Sequence, residues 1–173
     1  MSRWTNVAPP NILSLSRVLL AAAFPFSDDR GRLALVGAAA ATDFLDGWIA
    51  RHGNWATRAG ALIDPIADRV FAVTAVSTFV VDGHLTVAQF FVMLLRDIMT
   101  ALGYLVARVV PMLRNVEFRA RFLGKVVTTV QLLVLLAVLL APQAVAPLVV
   151  LVGVLSVAAV ADYTLALWRA RAR

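Results

Sequence analysis

The stretch DFLDGWIAR, Asp43 to Arg51, is followed after eight residues by GALIDPIAD, Gly60 to Asp68, and this pair of segments decides how the rest of the chain is read. Asp43 and Asp46 are three apart and Asp64 and Asp68 four apart, so on helices each pair shares one face. Both pairs stand late or early in apolar sequence. An ionisable side chain in a membrane span costs about 2.5 to 3.5 kcal/mol on insertion scales, so a cluster of four requires a reason. A single Asp there would be read as a buried ion pair with Arg51, Arg58 or Arg69, or as a helix cap. Four at this spacing point to a site.

Around these segments the chain is built for lipid. It has 173 residues, 61% of them hydrophobic, which is the size of one domain, residues 1–173, with more apolar surface than a soluble fold can bury. Sixteen Lys and Arg stand against ten Asp and Glu. No basic run lies on a polar segment, so the positive charge reads as topology signal and headgroup contact, and nucleic acid is excluded as a partner. The absence of cysteine excludes disulfides, thiolate metal sites and cysteine nucleophiles. Arg3, Pro9, Pro10 and Asn11 precede an apolar stretch interrupted by Arg17, with no small-residue cleavage site, so a retained N-terminus is expected rather than a signal peptide.

Apolar stretches run over 12–26, 33–50, 61–81, 85–109, 122–141 and 145–168, most of them near the ~20 residues a helix needs to cross a bilayer. The expected fold is an all-α integral membrane protein, six transmembrane helices in one bundle. The first stretch, short and carrying Arg17, is expected to lie partly along the interface as a short N-terminal amphipathic segment. With both termini in the cytoplasm, Arg3, Arg51, Arg58, Arg108, Arg114, Arg119, Arg121, Arg169, Arg171 and Arg173 fall inside, and Arg30 and Arg32 fall outside beside Asp28 and Asp29. The second span then descends and the third returns, which brings all four carboxylates to similar depth. Two carboxylates about 4 Å apart repel by roughly 4 kcal/mol at an effective dielectric of 20, so four together need cations or protons. Oxygen donors of this kind suit hard divalent ions, Mg²⁺, Ca²⁺ or Mn²⁺. Gly47 and Gly60 allow backbone to approach a ligand or a neighbouring helix closely.

The two segments together resemble the CDP-alcohol phosphatidyltransferase family, whose pattern D-x-x-D-G-x-x-A-R, eight residues, G-x-x-x-D-x-x-x-D is met here without departure. The six-span organisation extends the resemblance over nearly the whole chain. The resemblance implies transfer of the phosphatidyl group of CDP-diacylglycerol to an alcohol with release of CMP, in phospholipid biosynthesis. It implies a two-metal centre of Mg²⁺ or Mn²⁺ held by Asp43, Asp46, Asp64 and Asp68, with Asp68 also the catalytic general base. Gly47, Ala50, Arg51 and Gly60 would hold the cytidine nucleotide. A homodimer in the bacterial inner membrane, with its active site at the cytoplasmic face, is implied as well.

The acceptor is read from weaker marks. Pro10-Asn11, Ser16-Arg17, Pro65, Arg96-Asp97 and the run Gly124-Lys125, Thr128-Thr129, Gln131 resemble the branch that makes phosphatidylglycerol phosphate and cardiolipin. Arg96-Asp97 looks more like the cardiolipin synthases, which puts phosphatidylglycerol ahead of glycerol 3-phosphate as acceptor, and inositol phosphate third. Arg96, Arg114, Arg119 and Lys125, the one lysine, are the candidate acceptor-phosphate residues, set against the alternative that such a basic group anchors a loop to anionic lipid. His52 and His84 lack partners at ligand spacing and read as loop residues. Trp48, Trp55 and Trp168 read as interfacial anchors, and Asp162 as a buried contact with another helix or with a second subunit. A cation transporter or channel is the rival class, disfavoured because no paired broken helices or matching halves are visible.

Overall fold

Two prolines open the first helix, where their missing N–H groups have no intrahelical partner to lose. In the computed structural model the described backbone covers residues 9–52, 60–109 and 122–171, with side chains at 16–42, 45, 67, 69–103, 123–162 and 164. Six α-helices occupy it: α1 (Pro9–Ala23), α2 (Asp29–His52), α3 (Gly60–Val81), α4 (Val87–Val109), α5 (Phe122–Leu140) and α6 (Val145–Arg171). No strand occurs among the described residues. These helices coincide with the six apolar stretches to within a few residues. The expected loops at 51–58 and 110–121 fall largely outside the described residues, and with them Arg58, Arg114, Arg119, Arg121 and Trp55.

The helices gather into two compact units, Met1–His84 and Leu85–Arg173. In the first, α1 lies against both α2 and α3. Its core holds three rings in edge-to-face contact, Phe24 with Phe71 at 5.8 Å and with Phe79 at 5.5 Å between centroids. Such pairs add about 0.5–1.5 kcal/mol each beyond the area they bury. Around them Val36, Ala67, Ala75 and Val76 are buried.

Local signals set the ends of these helices. Pro25 sits in a 3-10 turn over Phe24–Phe26, and the Ser27 hydroxyl donates to the Ala23 carbonyl at 2.9 Å. The Asp28 carboxylate accepts the Gly31 N–H at 2.9 Å and so caps α2. At the far end of α3, His84 N–H bonds the Phe79 carbonyl at 2.9 Å and Gly83 N–H bonds the Val80 carbonyl at 3.1 Å. With Gly83 at φ +78° these two bonds make a Schellman cap. The His84 ring also meets the Phe79 ring edge-on at 6.0 Å, so this histidine, expected as a loop residue, closes the helix end.

Two charges differ from their expected places. Arg17 is 2% exposed and turns inward, where its Nε donates to the Thr42 hydroxyl at 3.3 Å. It therefore marks a packed face of α1. Arg32, expected in an outer loop, lies in the first turn of α2, 8% exposed, and pairs with Asp82 at 2.6 Å. Its guanidinium also lies 5.8 Å from the ring centres of both Phe24 and Phe79.

In the second unit α6 packs on both α4 and α5. Thr86 and Gln89 form a capping box at the start of α4, with Gln89 N–H on the Thr86 hydroxyl oxygen at 3.2 Å and Thr86 N–H on the Gln89 side-chain oxygen at 2.8 Å. Val149, Val152, Ser156 and Ala159 give α6 a buried face, while Val150, Val154 and Val157 are exposed on the other. A Cβ at Gly153 would come within 3.1 Å of Val92 Cγ1, so this glycine permits the close approach of α6 to α4. Leu123–Leu140 and Pro142–Asp162 are long and apolar enough to cross a membrane by length and composition.

Gly83→Ala should lower the thermal midpoint of the purified protein in detergent, since holding a Cβ-bearing residue in the left-handed region costs about 1–2 kcal/mol. Gly37→Ala, in mid-helix with nothing within 4 Å of the new Cβ, should leave the midpoint unchanged or raise it.

Candidate active site

The motif is distributed over two helices of the first unit. Asp43, Asp46, Gly47, Ala50 and Arg51 stand on α2, and Gly60, Asp64 and Asp68 on α3. Helical backbone through both segments places positions 43 and 46 one turn apart, and likewise 64 and 68. The side chains of these residues lie outside the described ones. Both helices pack on α1, which thus serves as common support for the two halves of the motif.

Two local features bear on what these positions can hold. Pro65 follows Asp64 inside α3 and has no N–H to give the carbonyl of residue 61, one turn before Asp64. On α2, Thr42 immediately precedes Asp43; its hydroxyl accepts from Arg17 and donates to the Ala39 carbonyl at 2.9 Å. A buried guanidinium is therefore bonded to the residue that immediately precedes Asp43. The only marks that could have found this pairing were a lone Arg in apolar α1 and a hydroxyl one residue before the motif.

The candidate acceptor residues belong to the second unit. Arg96, on α4, has one terminal nitrogen on the Gly124 carbonyl at 2.5 Å and on the Thr128 hydroxyl at 2.9 Å. Its other terminal nitrogen lies 3.3 Å from the Asp97 carboxylate. Gln131 is buried and donates to the Met93 carbonyl and to Asp97, the latter at 3.3 Å. Lys125 is exposed on α5, beside Gly124. Arg114 and Arg119 lie outside the described residues. Thr128 and Gln131 were visible in the sequence as polar residues in an apolar span, but nothing there tied them to Arg96.

A sequence model of the family described as "CDP-alcohol phosphatidyltransferase" matches residues 7–164, which takes in both motif segments and both units. The chain belongs to the CDP-alcohol phosphatidyltransferase family. This is a membrane-bound enzyme family, so the chain is a member of an enzymatic, lipid-associated group with an all-helical fold.

Among its relatives in the CDP-alcohol phosphatidyltransferase family, the CDP-diacylglycerol–glycerol-3-phosphate 3-phosphatidyltransferase of Aquifex aeolicus is 39% identical over 100 residues, 54% of this chain and 56% of its own. The enzyme of the same name from Escherichia coli K12 is 29% identical over 151 residues, 78% of each chain. The CMP-forming cardiolipin synthase of Homo sapiens is 31% identical over 153 residues, 77% of this chain and 50% of its own. The chain thus spans about half the length of the Aquifex and human relatives.

Replacing Thr42 by Val keeps the shape but removes the acceptor for Arg17 Nε. The expected cost is about 1–3 kcal/mol, the penalty of a buried polar group losing a partner, read as a lower thermal midpoint.

Proposed function

We propose that this protein transfers the phosphatidyl group of CDP-diacylglycerol to glycerol 3-phosphate, releasing CMP, from a six-span membrane bundle with its active site at the cytoplasmic face of a bacterial inner membrane. The observation that carries the reading is an unbroken eight-position motif on two helices that share the support of α1, inside a family match covering most of the chain.

Four carboxylates with no thiol or imidazole at ligand spacing make a hard-oxygen donor set, which fits Mg²⁺ or Mn²⁺. Asp43, Asp46, Asp64 and Asp68 would hold two such ions, which when bound neutralise charge on the pyrophosphate. Gly47 and Gly60 let backbone approach the cytidine nucleotide at α2 and α3, Ala50 keeps that face small, and Arg51 offers a planar fork to phosphate. Asp68 takes the proton of the acceptor hydroxyl as its oxygen attacks the phosphatidyl phosphorus; the bond from that phosphorus to the CMP oxygen breaks in line. No covalent intermediate on the protein is required. A trapped phosphatidyl-enzyme with ping-pong kinetics would contradict this.

Glycerol 3-phosphate is placed ahead of the phosphatidylglycerol favoured by the sequence marks. The bacterial relatives named for glycerol 3-phosphate include one aligned over most of both chains, whereas the cardiolipin synthases align over half of theirs. The Arg96-Asp97 pair, the mark that favoured cardiolipin synthase, lies in a contact between α4 and α5. Lys125, Arg114 and Arg119 are the proposed holders of the acceptor phosphate. Phosphatidylglycerol remains the second reading, supported by the likeness to cardiolipin synthase. A homodimer is proposed from the family alone.

The test is CMP release by the purified protein in detergent with CDP-diacylglycerol, in parallel with glycerol 3-phosphate, phosphatidylglycerol and inositol phosphate. Release should depend on glycerol 3-phosphate, vanish on chelation of divalent ions and return with Mg²⁺ or Mn²⁺. Asp68→Asn should lower kcat by about 10²- to 10⁴-fold, the usual worth of a positioned base. Lys125→Ala should raise KM for the acceptor more than KM for the CDP-lipid. Silence with every acceptor and metal would return the transporter reading to the front.

A further inference from the structure

The position of Arg96 is hard to reconcile with a direct contact to substrate. Its side chain is 16% exposed, as is that of Asp97. One terminal nitrogen is shared between the Gly124 carbonyl and the Thr128 hydroxyl, and the other faces Asp97. Its Nε is closed off from solvent and has no hydrogen-bond partner among the described residues. A phosphate reaching this guanidinium would have to displace contacts that tie α4 to α5.

What the guanidinium does hold is the first turn of α5. Gly124 is two residues into that helix, and its carbonyl accepts from Arg96 and from the Thr128 hydroxyl at 3.1 Å. The next residue is Lys125, whose own carbonyl accepts the Thr129 hydroxyl at 3.1 Å. One turn further along, Gln131 ties α5 to the Met93 carbonyl and the Asp97 carboxylate of α4. The first three turns of α5 are thus fixed to α4 by a charged and a neutral donor that share one carboxylate, and the exposed lysine lies on the first of them.

We propose that Arg96 is a positioning residue: with Asp97, Thr128 and Gln131 it forms a clasp between α4 and α5 that sets where Lys125 presents its ammonium to the acceptor phosphate. This rests on the proposed transferase reading for its substrate, but the geometric claim is independent of it. Charge-assisted bonds are short and directional, which suits a group that must be placed to a fraction of an ångström. A misplacement of about 1 Å from a remote substitution can cost as much as a hundredfold in rate.

The experiment uses the full chain in detergent and two readouts. In the kinetic one, Arg96→Gln should raise KM for glycerol 3-phosphate about tenfold while KM for CDP-diacylglycerol stays within about twofold, and Arg96→Lys should recover part of the loss. Thr128→Val and Gln131→Leu, which keep the arginine, should each raise the same KM by about threefold. Combined with Lys125→Ala, Arg96→Gln should add nothing further, because both act at one contact. Additive losses would mean that Arg96 meets the acceptor itself, and lower thermal midpoints with unchanged KM would mean that the clasp is only structural; either overturns the proposal. The second readout needs no turnover. Lys125 is the one lysine, so its acylation by a water-soluble amine reagent, mapped by mass spectrometry, reports the placement of the α5 turn. Its rate should change severalfold in Arg96→Gln and Gln131→Leu, and an unchanged rate would overturn the clasp. If no acceptor supports CMP release but the labelling shifts as expected, the transferase reading fails and the clasp stands.

Discussion

A carboxylate among hydrocarbon side chains has no water to spread its charge into, and this one constraint orders the first unit. Four aspartates in the apolar stretches of α2 and α3 call for charge to answer them, from metal ions or from protein donors. The chain places a fully buried arginine, Arg17, on the helix that touches both motif helices, and fixes it to the hydroxyl next to Asp43. The aromatic core of Phe24, Phe71 and Phe79 is then the frame that holds α1 and α3 at fixed register, so that a polar site can exist without loosening the unit.

The second unit meets the same constraint differently. Its charges, Arg96 and Asp97, are adjacent on one helix, and the polar residues that complete them, Thr128 and Gln131, come from another. A hydrogen-bonded polar network of this kind stiffens the elements it joins. Here the network falls where α5 begins, and apolar residues such as Val130, Val134 and Val138 take over the packing further along.

The helices and their lengths were legible because runs of apolar residues broken by short polar turns leave little freedom. The motif was legible because its spacing matches helix periodicity and a known family pattern. What the sequence did not disclose were contacts carried by long side chains. Arg17 reaches Thr42, 25 positions away, and Arg96 reaches Thr128, 32 away. Periodicity states which face of a helix a residue occupies, not which neighbour that face meets or how far an arginine extends across it. Arg17 and Arg32 stand in the sequence as charges in or beside apolar stretches, whereas in the structure each is a buried tie. Arg96-Asp97, a sequence mark of substrate choice, likewise lies in a helix contact, where packing also constrains it.

The Arg32 guanidinium lies against the Phe24 and Phe79 rings and pairs with Asp82, and this arrangement has a thermal consequence. The hydration that a separated guanidinium and carboxylate would regain becomes less favourable on heating, because ordering water around ions carries a strongly negative entropy. Burial of the neighbouring rings has no comparable upward trend. The tie between the start of α2 and the end of α3 therefore gains weight relative to the rest of the unit as temperature rises, and this end of the unit should be among the last parts to loosen on warming.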